Sequence, residues 1–250
     1  MAMDIRISFS QYDSLGRPFG IDGVLRTMQK HSIESAVLVP DLAVDCDIRR
    51  GNKELFDAIK ADNRLLGYLV VNANYPEESI QLMRSAMASP KFVALALFNG
   101  SSRPYPNVDD YRDILNAYRR FGKPVFVNAA HAEALSAVEQ MAQEFVTHKF
   151  IVGCMGGEDW KRAMTWSRLL NVVLECSGSF DAEKIEETVA CLGAHRILFG
   201  SDAPLADPAS MLALIQNSNI SKESMDKILG GNAKRIFNLE RPVEQASEEA

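Results

Sequence analysis

Short apolar runs alternate with amphipathic stretches along almost the whole chain, and this alternation limits the fold more than any other feature. Runs such as residues 35–40, 65–71 and 92–98 are apolar on both faces, which is typical of strands buried in a parallel sheet. Stretches such as residues 21–31 place apolar side chains on one helical face instead. The pattern predicts a single-domain (β/α)₈ TIM barrel over residues 1–239, with an open doubly wound sheet as the alternative. No GxGxxG follows the first strand, which argues against a dinucleotide-binding version of that alternative.

The composition argues against several classes of function. With 47% hydrophobic residues, 24% charged residues and a net charge of -6, the chain reads as a globular domain without the basic surface that nucleic acid requires. No apolar run approaches the roughly 18 residues of a membrane span, and no basic-then-apolar leader opens the sequence. We therefore expect a small-molecule substrate, with no nucleic acid and no membrane as partner. The oligomeric state stays open, a homo-oligomer included.

The cysteines and the C-terminal residues complete this outline. The four cysteines show no CxxC spacing, so neither a zinc knuckle nor a disulfide framework is indicated, and a reducing cytoplasm is the expected location; they are Cys46, Cys154, Cys176 and Cys191. Residues 240–250 are acidic and rich in small residues, which predicts a disordered tail.

A carboxylate follows the last predicted strand directly, in the run Phe199-Gly200-Ser201-Asp202-Ala203-Pro204. The carboxyl ends of the strands form the catalytic face of a barrel, so Asp202 is placed for chemistry, and a cap of the next turn is the alternative. Of the four histidines, only His131 falls on this face. It is a candidate general base, with a solvated loop histidine as the alternative. The other three, His31, His148 and His195, are predicted to be structural or surface residues.

With these elements in place, the chain resembles the amidohydrolase superfamily, specifically its amidohydrolase-related (type 2) branch. Two motifs carry most of the resemblance, the run around Asp202 and the terminal Gly231-Asn232-Ala233-Lys234-Arg235-Ile236-Phe237. Residues 154–157 (Cys-Met-Gly-Gly) and 171–178 support it in the family's order. The resemblance implies a metal-dependent hydrolase, or in some members a decarboxylase, with its site at the carboxyl ends of the strands.

The residues that would bind the family's metal are largely replaced in this chain. The first strand of the family usually ends in Asp-x-His-x-His, whereas this chain has Asp4-Ile5-Arg6-Ile7-Ser8, with Arg6 and Ser8 in place of the two histidines. An arginine cannot deprotonate to bind a metal, and serine is a poor ligand for zinc. The family's histidines on strands five and six fall at Asn128 and Cys154, and only Asp202 remains.

We therefore expect no tightly bound metal and no other cofactor. Asp202, Cys154 and Glu175 could still supply three donors, so a divalent ion such as zinc is left open. Cys154 could equally be a small packing residue, and Glu175 could instead pair with Arg6 across the barrel mouth.

Two functions are compatible with this pattern. The first is a hydrolase acting on a small polar or anionic lactone, ester or amide, with Asp202 as general acid/base, Arg6 binding a carboxylate or oxyanion, and His131 as a further catalytic candidate. The residues expected to contact the substrate are Ser8, Asn72, Asn128, Cys154, Glu175 and Arg103. Together with Arg17 and Tyr105, Arg103 would favour an anionic substrate, unless these loops are surface only. The second function is a catalytically inactive binding or regulatory module.

Overall fold

The computed structural model describes residues 2–13, 15–99 and 103–239. Within these residues, eight parallel strands pair in sequence order to form a nearly closed (β/α)₈ barrel, which confirms the predicted fold. The strands are β1 (Ala2–Phe9), β2 (Ile33–Pro40), β3 (Leu65–Val70), β4 (Phe92–Leu97), β5 (Val125–Val127), β6 (Phe150–Val152), β7 (Val172–Glu175) and β8 (Ile197–Leu198).

Helices connect the strands on the outside of the barrel. They are α1 (Gly20–Lys30), α2 (Asp41–Asp45), α3 (Ile48–Ile59), α4 (Pro76–Ala86), α5 (Val108–Tyr118), α6 (Ala132–Glu144), α7 (Trp160–Ala163), α8 (Ala182–Leu192), α9 (Pro208–Asn217), α10 (Lys222–Asp226) and α11 (Asn232–Ile236). Short 3₁₀ segments cover Arg119–Phe121, Gly153–Asp159, Trp166–Arg168 and Ala194–Arg196. None of the helices in the described ranges combines the length and apolar character that a membrane crossing requires.

The barrel closes between β1 and the residues that follow β8. Ile5 N donates to Phe199 O at 3.0 Å, and Ser8 N donates to Ala203 O at 2.7 Å. Between these two bonds, Asp202 N donates to Arg6 O at 2.8 Å. We call this pairing of β1 with residues 199–203 the seam. It places Asp202 beside the inward-facing side of β1.

Apolar side chains fill two layers, one inside the barrel and one between the strands and the helices. The inner layer includes Val37, Val39, Tyr68 and Phe126, all at most 3% exposed. The rings of Tyr68 and Phe126 lie 5.2 Å apart between centroids. Because both sides of each strand are buried, the strands are continuous apolar runs. The inner layer also forms an apolar floor beneath the barrel mouth.

Two segments differ from the sequence-based predictions. The sequence of residues 158–166 predicts a helix between the sixth and seventh strands. In the structure a 3₁₀ turn occupies Gly153–Asp159, and α7 has four residues. The terminal helix is predicted to break at Gly230-Gly231, whereas a π-helical turn over Lys227–Gly231 carries the chain through. The wider turn lets Ile228 O accept a hydrogen bond from Phe199 N at 3.1 Å, which ties it to the end of β8. The predicted acidic tail, residues 240–250, lies outside the described residues.

Candidate active site

Arg6 extends from β1 into the centre of the barrel mouth. A register shift in the pairing of β1 with β2 lies between Asp4 and Ile7, so Arg6 sits in an irregular stretch of the strand. The residue is 8% exposed, and its guanidinium carbon lies 5.5 Å from the centroid of the Phe126 ring, on the apolar floor. A permanent positive charge is therefore held at the position where the barrel opens to solvent.

The guanidinium is held by side chains from three other strands. Its Nη1 donates to Ser177 Oγ at 2.9 Å, to Cys154 Sγ at 3.1 Å and to Glu175 Oε2 at 3.4 Å. Its Nε lies 3.1 Å from Asp202 Oδ1 in an ion pair. Burial alone would lower the pKa of Arg6, but the charges of Glu175 and Asp202 and the hydrogen bond to Cys154 raise it above its ordinary value. Within the described residues, Nη2 makes no hydrogen bond.

Glu175 is the fully buried partner of this arginine. Its Oε1 accepts from Ser177 N at 2.5 Å and its Oε2 from Ser177 Oγ at 2.9 Å. Burial raises the pKa of Glu175, and Arg6 and the Ser177 donors oppose that shift. A Cβ on Gly200 would lie 2.1 Å from Oε1, so only glycine lets the segment after β8 pass this carboxylate. The Arg6–Glu175 pair that the sequence left as one alternative is confirmed.

Cys154 sits in a strained turn at the end of β6. Residues 154–157 all have positive φ, with values of 57°, 49°, 86° and 62°. A Cβ on Gly157 would lie 2.0 Å from Ala130 O, so the turn needs glycine there. Burial raises the pKa of the Cys154 thiol despite the nearby Arg6 charge. The turn places Cys154 Sγ 3.1 Å from Arg6 Nη1.

Asp4 links β1 to the seam from the outer side of the strand. Its Oδ1 accepts from Arg6 N and from Ser201 N, each at 3.0 Å. The residue is 0% exposed, and its Oδ2 has no hydrogen-bond partner among the described residues. Burial raises the pKa of Asp4 to about 7, against the lowering effect of the Ser201 and Arg6 bonds. Asp4 opens the Asp4-Ile5-Arg6-Ile7-Ser8 run but is missing from the sequence-based site candidates, although an acid inside an apolar strand is unusual.

The raised pKa of Asp4 predicts a pH-dependent effect of Asp4→Asn on stability. The folded protein holds the Asp4 proton more tightly than the unfolded chain, so this site's stabilisation is present at acid pH and is lost as the pH rises through about 7. Relative to Asp4→Asn, wild type should therefore lose up to about 4 kcal/mol between about pH 4 and about pH 8. Urea denaturation of both proteins across this range measures the difference. A difference that does not vary with pH would contradict the assignment.

A second carboxylate, Asp41, follows the end of β2. It is half-buried and comes directly after Pro40, the last residue of that strand. Burial raises the pKa of Asp41 to about 6. Asp41 and Ser177 are missing from the sequence-based candidates, although each is a polar residue just beyond the end of a strand. That position is the signal that could have found them.

The remaining predicted residues lie outside this cluster. His131 is exposed and precedes the first turn of α6, with no side-chain capping bond. Asn72 Oδ1 accepts from Asn74 N at 2.8 Å, and Asn72 lines a lateral cavity beside α3 and α4. Asn128 is half-buried after β5, and exposed Arg103 lies over the Tyr105 ring at 6.0 Å. Their roles in catalysis or substrate binding stay predictions.

The donor set does not fit a transition-metal ion. A tight site needs three or four N, S or carboxylate donors that converge on the ion. Glu175, Cys154 and Asp202 do converge, but on the Arg6 guanidinium, whose charge repels a cation. In the part of the chain that the structure describes, no three His, Cys, Asp or Glu side chains are grouped in a way that could hold a metal ion.

The fold and this polar cluster define a (β/α)₈ protein with a candidate site at the carboxyl ends of its strands. A family model described as amidohydrolase matches residues 48–239, which is more than half of the chain. The chain belongs to this amidohydrolase family. The match begins after β2, so the strand that carries Arg6 and the residue Asp41 both precede it.

The chain is similar to known proteins in sequence over a short segment and in fold over most of its length. Gamma-resorcylate decarboxylase from Polaromonas sp. (strain JS666) is 34% identical over 71 residues, which are 28% of this chain and only 22% of that relative's length. The solved 5-carboxyvanillate decarboxylase of Novosphingobium aromaticivorans, complexed with manganese, is 15% identical with a TM-score of 0.76, and the alignment covers 95% of this chain and 96% of that one. A probable 2-pyrone-4,6-dicarboxylic acid hydrolase of Acinetobacter baumannii, with citric acid bound, is 15% identical with a TM-score of 0.70, covering 95% and 99%. At these identities the two structures show a shared fold.

Proposed function

We propose that this protein is an enzyme that hydrolyses a small anionic lactone or related ester without a tightly bound metal. The observation that carries the proposal is the Arg6 guanidinium, fixed by Glu175, Ser177 and Cys154 at Nη1 while Nη2 has no hydrogen bond within the described residues. A guanidinium held in this way can bind a carboxylate or a developing oxyanion with its remaining N–H groups.

Asp202 supplies the base in this proposal. Its carboxylate lies 3.1 Å from Arg6 Nε and its side chain is 20% exposed, so water reaches it. Asp202 accepts a proton from a water molecule as the water oxygen attacks the ester carbonyl. The Arg6 charge stabilises the resulting oxyanion, the C–O bond to the leaving oxygen breaks, and a carboxylate and a hydroxyl group are the products.

The rim of the mouth supports a ring-shaped, anionic substrate. Phe180 and Leu205 lie on the loops that follow β7 and β8, and they are 76% and 72% exposed. Such apolar side chains beside a charged cluster suit a flat ring that carries a polar group. Each of the three named relatives acts, by its name, on a carboxylated ring compound. The four cysteines, all free thiols in the structure, are compatible with the cytoplasmic location expected from the sequence.

Decarboxylation of a hydroxybenzoate is the second candidate. The 71-residue match to gamma-resorcylate decarboxylase favours it. The manganese in the solved decarboxylase argues in the other direction, since the Arg6 cluster does not suit a cation. We rank hydrolysis first because it needs only an oxyanion-binding group and a base. Neither the described residues nor the comparisons supply an observation in favour of an inactive module.

An assay of chelator-treated protein tests the proposal. The probes are 2-pyrone-4,6-dicarboxylate, followed by ring absorbance, the saturated lactone acid paraconate, followed by proton release, and 2,6-dihydroxybenzoate, followed by release of carbon dioxide. We expect the treated protein to hydrolyse at least one lactone at the same rate as untreated protein. Activity that returns only after zinc or manganese is added would contradict the proposal. Release of carbon dioxide from the hydroxybenzoate would establish the second candidate instead.

A further inference from the structure

Three aromatic rings form a continuous row in the inner layer next to Arg6. The ring centroids of Tyr68 and Phe126 lie 5.2 Å apart, and those of Phe126 and Phe98 lie 5.9 Å apart. The guanidinium carbon of Arg6 lies 5.5 Å from the centroid of the Phe126 ring. Phe126 therefore contacts both the guanidinium and the Phe98 ring, and these two groups belong to one wall of the barrel mouth.

Phe98 lies at the mouth end of this row. It follows Leu97, the last residue of β4, and continues the inward-facing series of Ala94 and Ala96. Leu97 O accepts a hydrogen bond from Asn128 N at 3.0 Å, so β4 and β5 stay paired up to this level. An inward-facing side chain just beyond the carboxyl end of a barrel strand faces the mouth, where the sites of such barrels lie.

The rings of the row differ in exposure. Phe126 and Tyr68 are 0% exposed, whereas Phe98 is half-buried and packs against the inner layer with part of its surface. Phe98 thus offers aromatic surface to the mouth while its neighbours hold the ring in place. Phe180 and Leu205 on the rim are largely exposed, so far less of their surface is held by packing. A ring that is fixed before binding loses little conformational entropy when a ligand contacts it.

Gly153 allows the aromatic row and Arg6 to approach each other this closely. A Cβ at residue 153 would lie 2.9 Å from Phe126 Cζ and 3.2 Å from Arg6 Nη1. The first residue after β6 therefore leaves room for both the edge of the ring and the guanidinium. The placement of Arg6 next to the aromatic row depends on this glycine.

We infer that Phe98 is a specificity-determining residue of this site. Its ring stacks on the ring of a ligand whose carboxylate binds to Arg6, and it thereby favours planar, unsaturated rings over saturated ones. Planar rings stack at centroid distances of about 4.5–7 Å, whereas the axial hydrogens of a puckered ring prevent flat contact. This inference rests on the proposed function, because it takes the Arg6 mouth as the substrate site.

Calorimetric titration with two dicarboxylates that cannot be hydrolysed tests the inference. Benzene-1,3-dicarboxylate is planar, and cis-cyclohexane-1,3-dicarboxylate carries the same charge in the same substitution pattern on a puckered ring. Wild type should bind the planar probe about tenfold more tightly than the puckered one. Phe98→Leu should reduce this preference to about twofold or less, while its affinity for the puckered probe stays within about twofold of wild type.

Two control variants separate stacking from folding. Phe98→Tyr keeps an aromatic ring at the position and should keep the preference for the planar probe. Phe121→Leu makes the leucine substitution at another half-buried ring, which packs on Tyr118 at a centroid distance of 5.6 Å. Phe121 precedes β5 and so lies at the opposite end of the barrel from the mouth. Its replacement should leave the affinities for both probes unchanged.

The results distinguish this inference from the proposed function. An unchanged preference in Phe98→Leu, or a wild type that binds both probes equally or binds neither, would overturn the inference even if lactones are hydrolysed. Equal losses of affinity for both probes in Phe98→Leu would also overturn it, because they would point to a structural role. A preference for the planar probe that depends on Phe98, without hydrolysis of any lactone, would support the inference and contradict only the proposed reaction.

Discussion

Arg6→Met should lower the free energy of unfolding by about 3–5 kcal/mol, because it leaves the buried Glu175 carboxylate without its positive partner. Glu175 is 0% exposed and has no route to solvent in the folded protein. The same change should lower kcat/KM by about a hundredfold or more, since the oxyanion loses its only fixed positive charge at the described mouth. Chemical denaturation and lactone assays measure the two effects.

Two further variants separate stability from catalysis at this position. The double variant Arg6→Met with Glu175→Gln removes both buried charges and should recover part of the lost stability without recovering activity. Arg6→Lys keeps a charge but loses the planar fork that contacts Ser177, Cys154 and Glu175, so it should remain well below wild type in rate. An Arg6→Met protein with wild-type stability and wild-type rate would refute the account of this site.

Asp202→Asn should lower kcat by about a hundred- to ten-thousandfold, because the amide cannot accept the proton of the attacking water. Stability should change little. Asp202 has a φ of 60°, a conformation that asparagine also tolerates, and the backbone bond from residue 202 to Arg6 O is kept. Far-ultraviolet circular dichroism and thermal unfolding report on the fold while the assay reports on the rate.

Asp207→Asn is the matched control for this variant. Asp207 lies five residues further along the same loop, is half exposed, and pairs with Lys30 and His31 away from the cluster. The asparagine can still cap the first turn of α9 as the aspartate does. Wild-type kcat in Asp207→Asn together with wild-type kcat in Asp202→Asn would exclude Asp202 as the base and would favour a differently organised active site.

The strands could be predicted from the sequence because strands that are buried on both faces of a parallel barrel are continuous apolar runs. Residues 65–71 are predicted as a strand, and β3 occupies Leu65–Val70. The segment after β6 could not be predicted in the same way. Cys154 and Met155 adopt left-handed backbone conformations that their residue types disfavour, and the Cys154 contacts with Arg6 and Glu175 are tertiary.

The same distinction holds for the candidate site: residues that end an apolar run could be predicted, and contacts that depend on tertiary structure could not. Asp202 and Glu175 could be placed at the mouth because each ends a recognisable strand, and the Arg6–Glu175 contact was among the alternatives that this placement allowed. The hydrogen bonds that direct the Arg6 side chain depend on Ser177 and on a register shift in β1, neither of which a linear pattern expresses. Asp41 is absent from the sequence-based candidates because the apolar run of residues 35–40 ends at Pro40, whereas α2 begins directly at Asp41.

The seam has a consequence for how barrels of this kind can evolve. Ile5, Arg6 and Ser8 on β1 each bond the backbone of residues 199–203, and the same stretch supplies the carboxylate that faces Arg6. A single inserted or deleted residue there would shift Asp202 away from the arginine and open the barrel wall in the same step. Insertions that change substrate specificity must therefore fall beyond Pro204 or in the loops after other strands. Loop length can vary there without moving Asp202 relative to Arg6.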